Sequence, residues 1–216
     1  MDKFERELPN IRIRNIGTIF NPLEMVEARI VLEAWDGYFL KHMENGREIT
    51  DGKVRLYFDC YRGNNAEDCR AETNAYHHLM RHQHEIRDNI LRALSGEIGN
   101  LTMYLDEDDP DIPKVSPETA GDFDFKPFLG PLSISFTGEE SKDDVSYLEW
   151  HFQCTWDPEH GFAVTTHKER VIHIDQDTDI WKIYDDNGTL AEKQKEYDER
   201  EKNFKLKEVR PWWKVW

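Results

Sequence analysis

The chain has 216 residues, a third of them charged, and a formal net charge of −16. That length supports one hydrophobic core, with or without an appendage, and needs no metal or disulfide staple. A chain this acidic repels phosphate and anionic lipid unless it concentrates a basic patch, and its Lys and Arg residues are scattered or paired with acids, as Arg200 is with Glu196. Nucleic acid and membrane surfaces are therefore disfavoured, and a basic protein is the partner that the charge suits.

Cys60, Cys69 and Cys154 form no C-x-x-C pair, which argues against a disulfide framework or a Cys-based zinc site. Free thiols point to a reducing compartment. The start, MDKFERELPN, is charged rather than apolar, and no apolar run approaches the roughly 18 residues of a spanning helix. The expected location is the cytoplasm.

The N-terminal third reads as antiparallel strands. Over residues 26–35, Ala28, Ile30, Leu32 and Ala34 share one face. Asp36-Gly37 is a turn signal, with a return strand from Tyr38, and Asn45-Gly46 and Asp51-Gly52 mark further turns. A third strand, residues 53–59, alternates Val54, Leu56 and Phe58 with Arg55 and Tyr57. The period then changes. Tyr76, Leu79, Ile86, Ile90 and Leu94 recur at helical spacing, interrupted at Gln83. Gly63-Asn64-Asn65 suits the start of this helix and Ser95-Gly96 its stop, with a short second helix over residues 97–105.

Residues 106–125 carry eight acidic residues against one Lys, with Pro110, Pro113 and Pro117, which is the composition of a mobile connector. A second β module follows. Leu132, Ile134 and Phe136 alternate with Ser133, Ser135 and Thr137, and residues 147–155, 162–167 and 170–175 read as strands, with 181–184 a candidate for one more. Residues 190–208 are helical and highly charged, with a thin seam of Leu190, Tyr197 and Phe204. The expected class is α+β: N-terminal antiparallel strands with a long helix, then an antiparallel β module and a charged C-terminal helix. The expected organisation is a module over residues 1–105, a linker over 106–125 and a module over 126–216, or one compact domain.

The most distinctive local sequence is Trp156-Asp157-Pro158-Glu159-His160-Gly161, between two strand-like runs. Pro158 suits the second position of a β-turn, Gly161 takes a positive φ, and Asp157 accepts bonds from the turn's own N–H groups. Glu159 and His160 are left over. A neighbouring carboxylate and imidazole can act as a general acid/base pair or as metal ligands, with Asp157 nearby. Alternatively His160 caps the loop and Glu159 faces solvent. At this hairpin the chain resembles a bacterial family of uncharacterised domains marked by a W-D-x-E-H-G turn. The run F-Q-C-T-W-D-P-E-H-G-F-A-V, then R-V-I-H-I-D, carries the resemblance, with strands ending at Asp59 and a helix bearing Ala75-Tyr76. It covers residues 25–176. It implies no activity, and similar domains look like immunity partners of secreted toxins.

His77, His78, His82 and His84 cluster on the long helix, and His78, His82 and Glu85 fall on one stripe. Two His at i, i+4 can chelate Zn²⁺ or Ni²⁺, but third and fourth ligands are missing from the helix and the order is not H-E-x-x-H. A polar face beside the core stripe is the simpler reading, so no metal and no cofactor is expected. Asp106, Glu107, Asp108 and Asp109 lack the spacing of an EF-hand loop. In the tail, Trp212, Trp213 and Trp216 either fold back or anchor a partner.

The leading expectation is a non-enzymatic acidic protein that binds a basic partner, in the specific case a toxin domain, through the acidic run and the tail tryptophans. The rival is a hydrolase or metal-dependent enzyme built on Glu159 and His160, with His151 or His167 in support. Oligomeric state is not encoded in any feature above.

Overall fold

The computed structural model describes residues 12–18, 21–43, 46–59, 70–106 and 108–208. The chain divides into two units, residues 1–178 and 179–216. Cys60, Cys69, Gly63, Asn64, Asn65, Glu107, Trp212, Trp213 and Trp216 lie outside the described residues.

The first unit is α+β. Its strands are β1 (Arg12–Thr18), β2 (Asn21–Met43), β3 (Gly46–Asp59), β4 (Leu129–Lys142), β5 (Val145–Cys154), β6 (Phe162–His167) and β7 (Arg170–Asp175), and they lie side by side in chain order in one sheet. All neighbours are antiparallel except β3 and β4, which run parallel where Arg55, Leu56 and Tyr57 face Ser133, Ile134 and Ser135. Parallel neighbours need a long crossover rather than a tight turn. Here it is helix α1 (Arg70–Leu101) and the segment that follows it.

Helix α1 buries Ala75, Tyr76, Leu79, Ile86, Ile90, Leu91, Leu94 and Ile98, so the helical stripe is the face laid on the sheet. It does not stop at Ser95-Gly96, and residues 97–105 are not a separate helix. A mid-helix glycine costs only about 1 kcal/mol. Burial of Ile98 in the next turn outweighs that, and the Ser95 hydroxyl is satisfied within the helix by the Arg92 carbonyl at 2.6 Å. The irregularity lies elsewhere: His82, at φ −115° and ψ 16°, kinks the helix between Leu79 and Ile86.

The Asp36-Gly37 and Asp51-Gly52 signals are not hairpin turns. Strand β2 runs through the first and β3 through the second. Val31 faces Lys53 and Asp36 faces Asp51, so residues 32–35 bulge opposite Gly52 alone. The glycines serve the bulge: Gly37 and Gly52 take φ of +81° and +78°, which a β-carbon disfavours. The bulge buries Ala34 and its neighbour Trp35 together, which strict alternation forbids. The Trp35 ring then meets Tyr38, Phe152 and Trp150 with centroids at 4.9, 5.2 and 5.9 Å.

A bulge leaves backbone groups without a strand partner, and no residue of β3 pairs with Ala34. Helix α1 supplies the missing partners. Ala34 N–H donates to Gln83 Oε1 at 3.0 Å, and Arg87 Nη1 donates to the Ala34 carbonyl at 3.1 Å. Gln83, which breaks the apolar stripe in sequence, is thus the side chain that docks the helix on the bulge.

The acidic segment 106–125, expected as a mobile connector, contributes Ile112, Ala120 and Phe125 to the same core as α1 and β5. Thr155 Oγ1 donates to its Asp111 carbonyl at 2.6 Å, and the two residues that follow it are stitched down by Phe39 N–H to the Lys126 carbonyl at 2.8 Å and Arg47 Nη1 to the Pro127 carbonyl at 2.9 Å. Its few apolar residues suffice because the sheet and helix provide the surface that they cover.

The second unit holds α2 (Ile180–Asn187) and α3 (Leu190–Glu208). Residues 181–184 are therefore helical, not a strand. Asp179 caps the start by accepting from Trp181 N–H at 2.9 Å, and Gly188, at φ +82°, closes the end. The Trp181 ring meets Tyr184 and Tyr197 edge-on at 5.5 and 5.7 Å. Tyr197 and Phe204 of the thin seam remain exposed.

The docking of α1 on the bulge generates a stability prediction. Gln83→Leu leaves the Ala34 N–H buried and unpaired, which costs about 1–3 kcal/mol despite the gain in apolar character. Chemical denaturation should show a lowered midpoint with an unchanged slope.

Candidate functional site

Two constellations carry chemistry-bearing side chains, and they lie at the two turns that flank β6. The first joins β5 to β6. Gly161 N–H donates to the Asp157 carbonyl at 2.9 Å and His160 N–H to Asp157 Oδ1 at 3.1 Å. Gln153 Nε2 holds the Pro158 carbonyl at 2.6 Å. Trp156 is buried and stacks on Phe162 at 5.6 Å, which anchors the entry to the turn. Gly161 has φ +71°, and a β-carbon there would lie 2.0 Å from the Phe152 carbonyl oxygen.

The leftover pair lies on the surface of this turn. His160 Nδ1 lies 3.1 Å from Asp157 Oδ1, and the imidazole is 73% exposed, so it caps its own turn. Glu159 is also exposed. The clefts along α1, one beside Glu97, Asn100 and His173 and the other beside Arg87, Arg92 and Phe123, include neither residue. The two supporting histidines sit apart from them. His151 pairs with Ala163 in mid-sheet, while His167 is buried, bonds the Lys142 carbonyl through Nε2 at 2.9 Å and packs on Tyr147. Cys154 is buried, and burial pushes its thiol up to about 12, which disfavours the thiolate.

Glu149, opposite Thr165 in the sheet, was not singled out by sequence. Burial raises its carboxyl above the usual range, and His151 with the Thr178 and Ser135 hydroxyls pulls it only partly back. Alternation would put a strand Glu in solvent, so no sequence signal reveals this desolvation.

The second constellation joins α1 to the β6–β7 turn. His78 and His82 stack with centroids 4.4 Å apart and planes 16° from parallel. Glu169 reaches them from the Lys168-Glu169 turn, and its Oε1 lies 2.7 Å from His78 Nε2 and 3.5 Å from His82 Nδ1. Asn89 Nδ2 fixes that turn by donating to the Glu169 carbonyl at 2.9 Å, and Arg92 Nη1 in turn holds Asn89 Oδ1 at 2.9 Å. Burial alone would raise the Glu169 carboxyl, but its own N–H and the two imidazoles outweigh that and hold it below the usual range. Of the sequence candidates, His78 and His82 come together. Glu85 reaches only His82, at 3.5 Å, and Glu169 takes its place as the third member.

Among the described residues the acidic run forms no ligand cluster. Asp106 Oδ1 accepts from Asp108 N–H at 3.1 Å and Asp109 Oδ1 from Asp111 N–H at 2.9 Å, so these carboxylates brace their own loop. Directly before them Met103, Tyr104 and Leu105 are exposed, a contiguous apolar step that sequence reasoning assigned to a helix.

Two measurements follow. Gly161→Val must both hold a positive φ and clear the Phe152 carbonyl, so its melting temperature should drop by several degrees, corresponding to at least about 2 kcal/mol; an unchanged temperature contradicts the turn geometry. Glu149, whose pKa is raised in the folded chain, contributes stability that is full below its unfolded pKa and lost as pH rises through the folded one. Glu149→Gln should therefore raise the melting temperature at pH 7 and leave it nearly unchanged at pH 4 in calorimetric scans.

Among the described residues no helix is long and apolar enough to cross a membrane. No curated protein and no solved structure matches the chain. Residues 35–181, which take in α1, both turns and all four C-terminal strands, match one family. The chain belongs to that family, described as a domain of unknown function, DUF6985.

Proposed function

We propose that this chain is a non-enzymatic acidic binding protein for a basic protein, with an immunity-type inhibitor of a cationic toxin domain as the specific form. The observation that carries the reading is the exposed step formed by residues 103–106 with Asp108. Tyr104 is 88% exposed, Met103 and Leu105 flank it, and Asp106 and Asp108 follow in solvent. An aromatic anchor bordered by carboxylates suits a partner with an apolar socket ringed by Lys or Arg. The net charge of −16 adds long-range attraction for such a surface. Toxin domains that attack nucleic acid are themselves cationic where they hold phosphate, which is the surface an acidic inhibitor covers. The hydrolase alternative loses its support, because Glu159 and His160 are exposed on a self-capped turn.

The test has two stages. A protein with a basic surface should co-purify with the chain from its cell of origin, and Tyr104→Ala should weaken that complex at least tenfold, or about 1.4 kcal/mol. Raising salt should slow association far more than dissociation, since the screening length falls from about 10 Å at 0.1 M to about 3 Å at 1 M. A complex indifferent to both Tyr104→Ala and salt contradicts the proposal.

A further inference from the structure

We infer that His78, His82 and Glu169 bind one divalent first-row transition ion, a site that stands independently of the partner-binding reading. The set is two imidazoles and a carboxylate, the donor chemistry of Zn²⁺ and its neighbours. A helix supplies two ligands at i, i+4 and a turn distant in sequence supplies the third.

Three observations favour an ion over a simple His–Glu pair. First, His78 Nε2 is buried and has no hydrogen-bond partner, although Glu169 Oε1 is only 2.7 Å away. At that distance a misaligned carboxylate does not satisfy the ring nitrogen, whereas both atoms converging on a third centre would. Second, His82 Nδ1 is 3.5 Å from the same oxygen, too long for a hydrogen bond. Bonds of about 2.05 Å at a tetrahedral ion place ligand atoms about 3.3 Å apart, so on binding the 2.7 Å pair would open and the 3.5 Å pair would close slightly. Third, the single non-helical residue in α1 is His82 itself, at φ −115° and ψ 16°. The kink falls at a ligand, within reach of the turn that provides Glu169.

The surrounding residues suit such a centre. Asn89 grips the Glu169 carbonyl and Arg92 grips Asn89, an outer layer that orients the carboxylate. Half-exposed His82 leaves the ion reachable from solvent, and three protein ligands leave one tetrahedral position for water or a donor from outside the chain.

Zinc titration of untagged, chelator-treated protein tests this by calorimetry, with melting temperature as a second readout. One equivalent should bind and the melting temperature should rise. Glu169→Gln keeps the shape of the side chain, so it should fold in the metal-free state with a similar melting temperature, yet lose both the single-equivalent binding and the zinc-induced rise. His78→Ala should lose them as well. His84→Ala, exposed on the same helix outside the cluster, should retain them. Zinc binding that survives Glu169→Gln, that disappears with His84→Ala, or that lacks one-to-one stoichiometry overturns the assignment.

Discussion

The Ala34 peptide group sits where β2 loses register with β3, and both of its polar atoms are taken by side chains of α1. A bulge of four residues opposite one glycine would strand backbone donors and acceptors in the core. Gln83 and Arg87 resolve that conflict and, in doing so, fix where the helix lies. Because the bulge also turns Trp35 into the core with Ala34, the aromatic group of Trp35, Tyr38, Trp150 and Phe152 belongs to the same core as the apolar face of the docked helix. The kink at His82 adjoins Gln83, so the polar contact to the bulge and the imidazoles facing Glu169 occupy one stretch of one helix.

What could be read from sequence, and what could not, follows from the range of the interactions. The stripe of Tyr76, Leu79, Ile86, Ile90 and Leu94 is a local periodicity, and the structure lays it on the sheet. Alternation in β4 and β5 is local too. Asp36-Gly37 carries the same composition in a hairpin and in a bulge, and only the pairing of Val31 with Lys53 and Asp36 with Asp51 distinguishes them. Residues 181–184 present aromatic and aliphatic side chains that suit a strand. Their helix is decided by Asp179 and Gly188 at its two ends. The candidate ion site was half legible. His78 and His82 are visible at helical spacing, but Glu169 lies on a different turn, and no pattern within the helix points to it.

The functional picture joins a scaffold to two features with different chemistry, one exposed and one half-buried. Residues 103–106 and Asp108 offer an aromatic step and carboxylates just past the end of α1, which suits recognition of a cationic surface. The cluster of His78 and His82, in the middle of the same helix, with Glu169 from the β6–β7 turn offers ion coordination. Glu159 and His160, the most conspicuous pair in the sequence, are exposed on their own turn. Asp157, Pro158 and Gly161 shape their turn, His160 caps it, and its role is to bring β6 back beside β5.

The central claim is that α1 is locked to the sheet through the Ala34 peptide. Residue-resolved hydrogen exchange tests it most directly. The account predicts that the Ala34 amide, although it belongs to no strand pair, exchanges only through global unfolding, as slowly as the core amides of β5, and that Gln83→Leu accelerates it selectively. An Ala34 amide that exchanges as fast as the exposed amides of residues 103–106 in the unmutated chain would contradict the account.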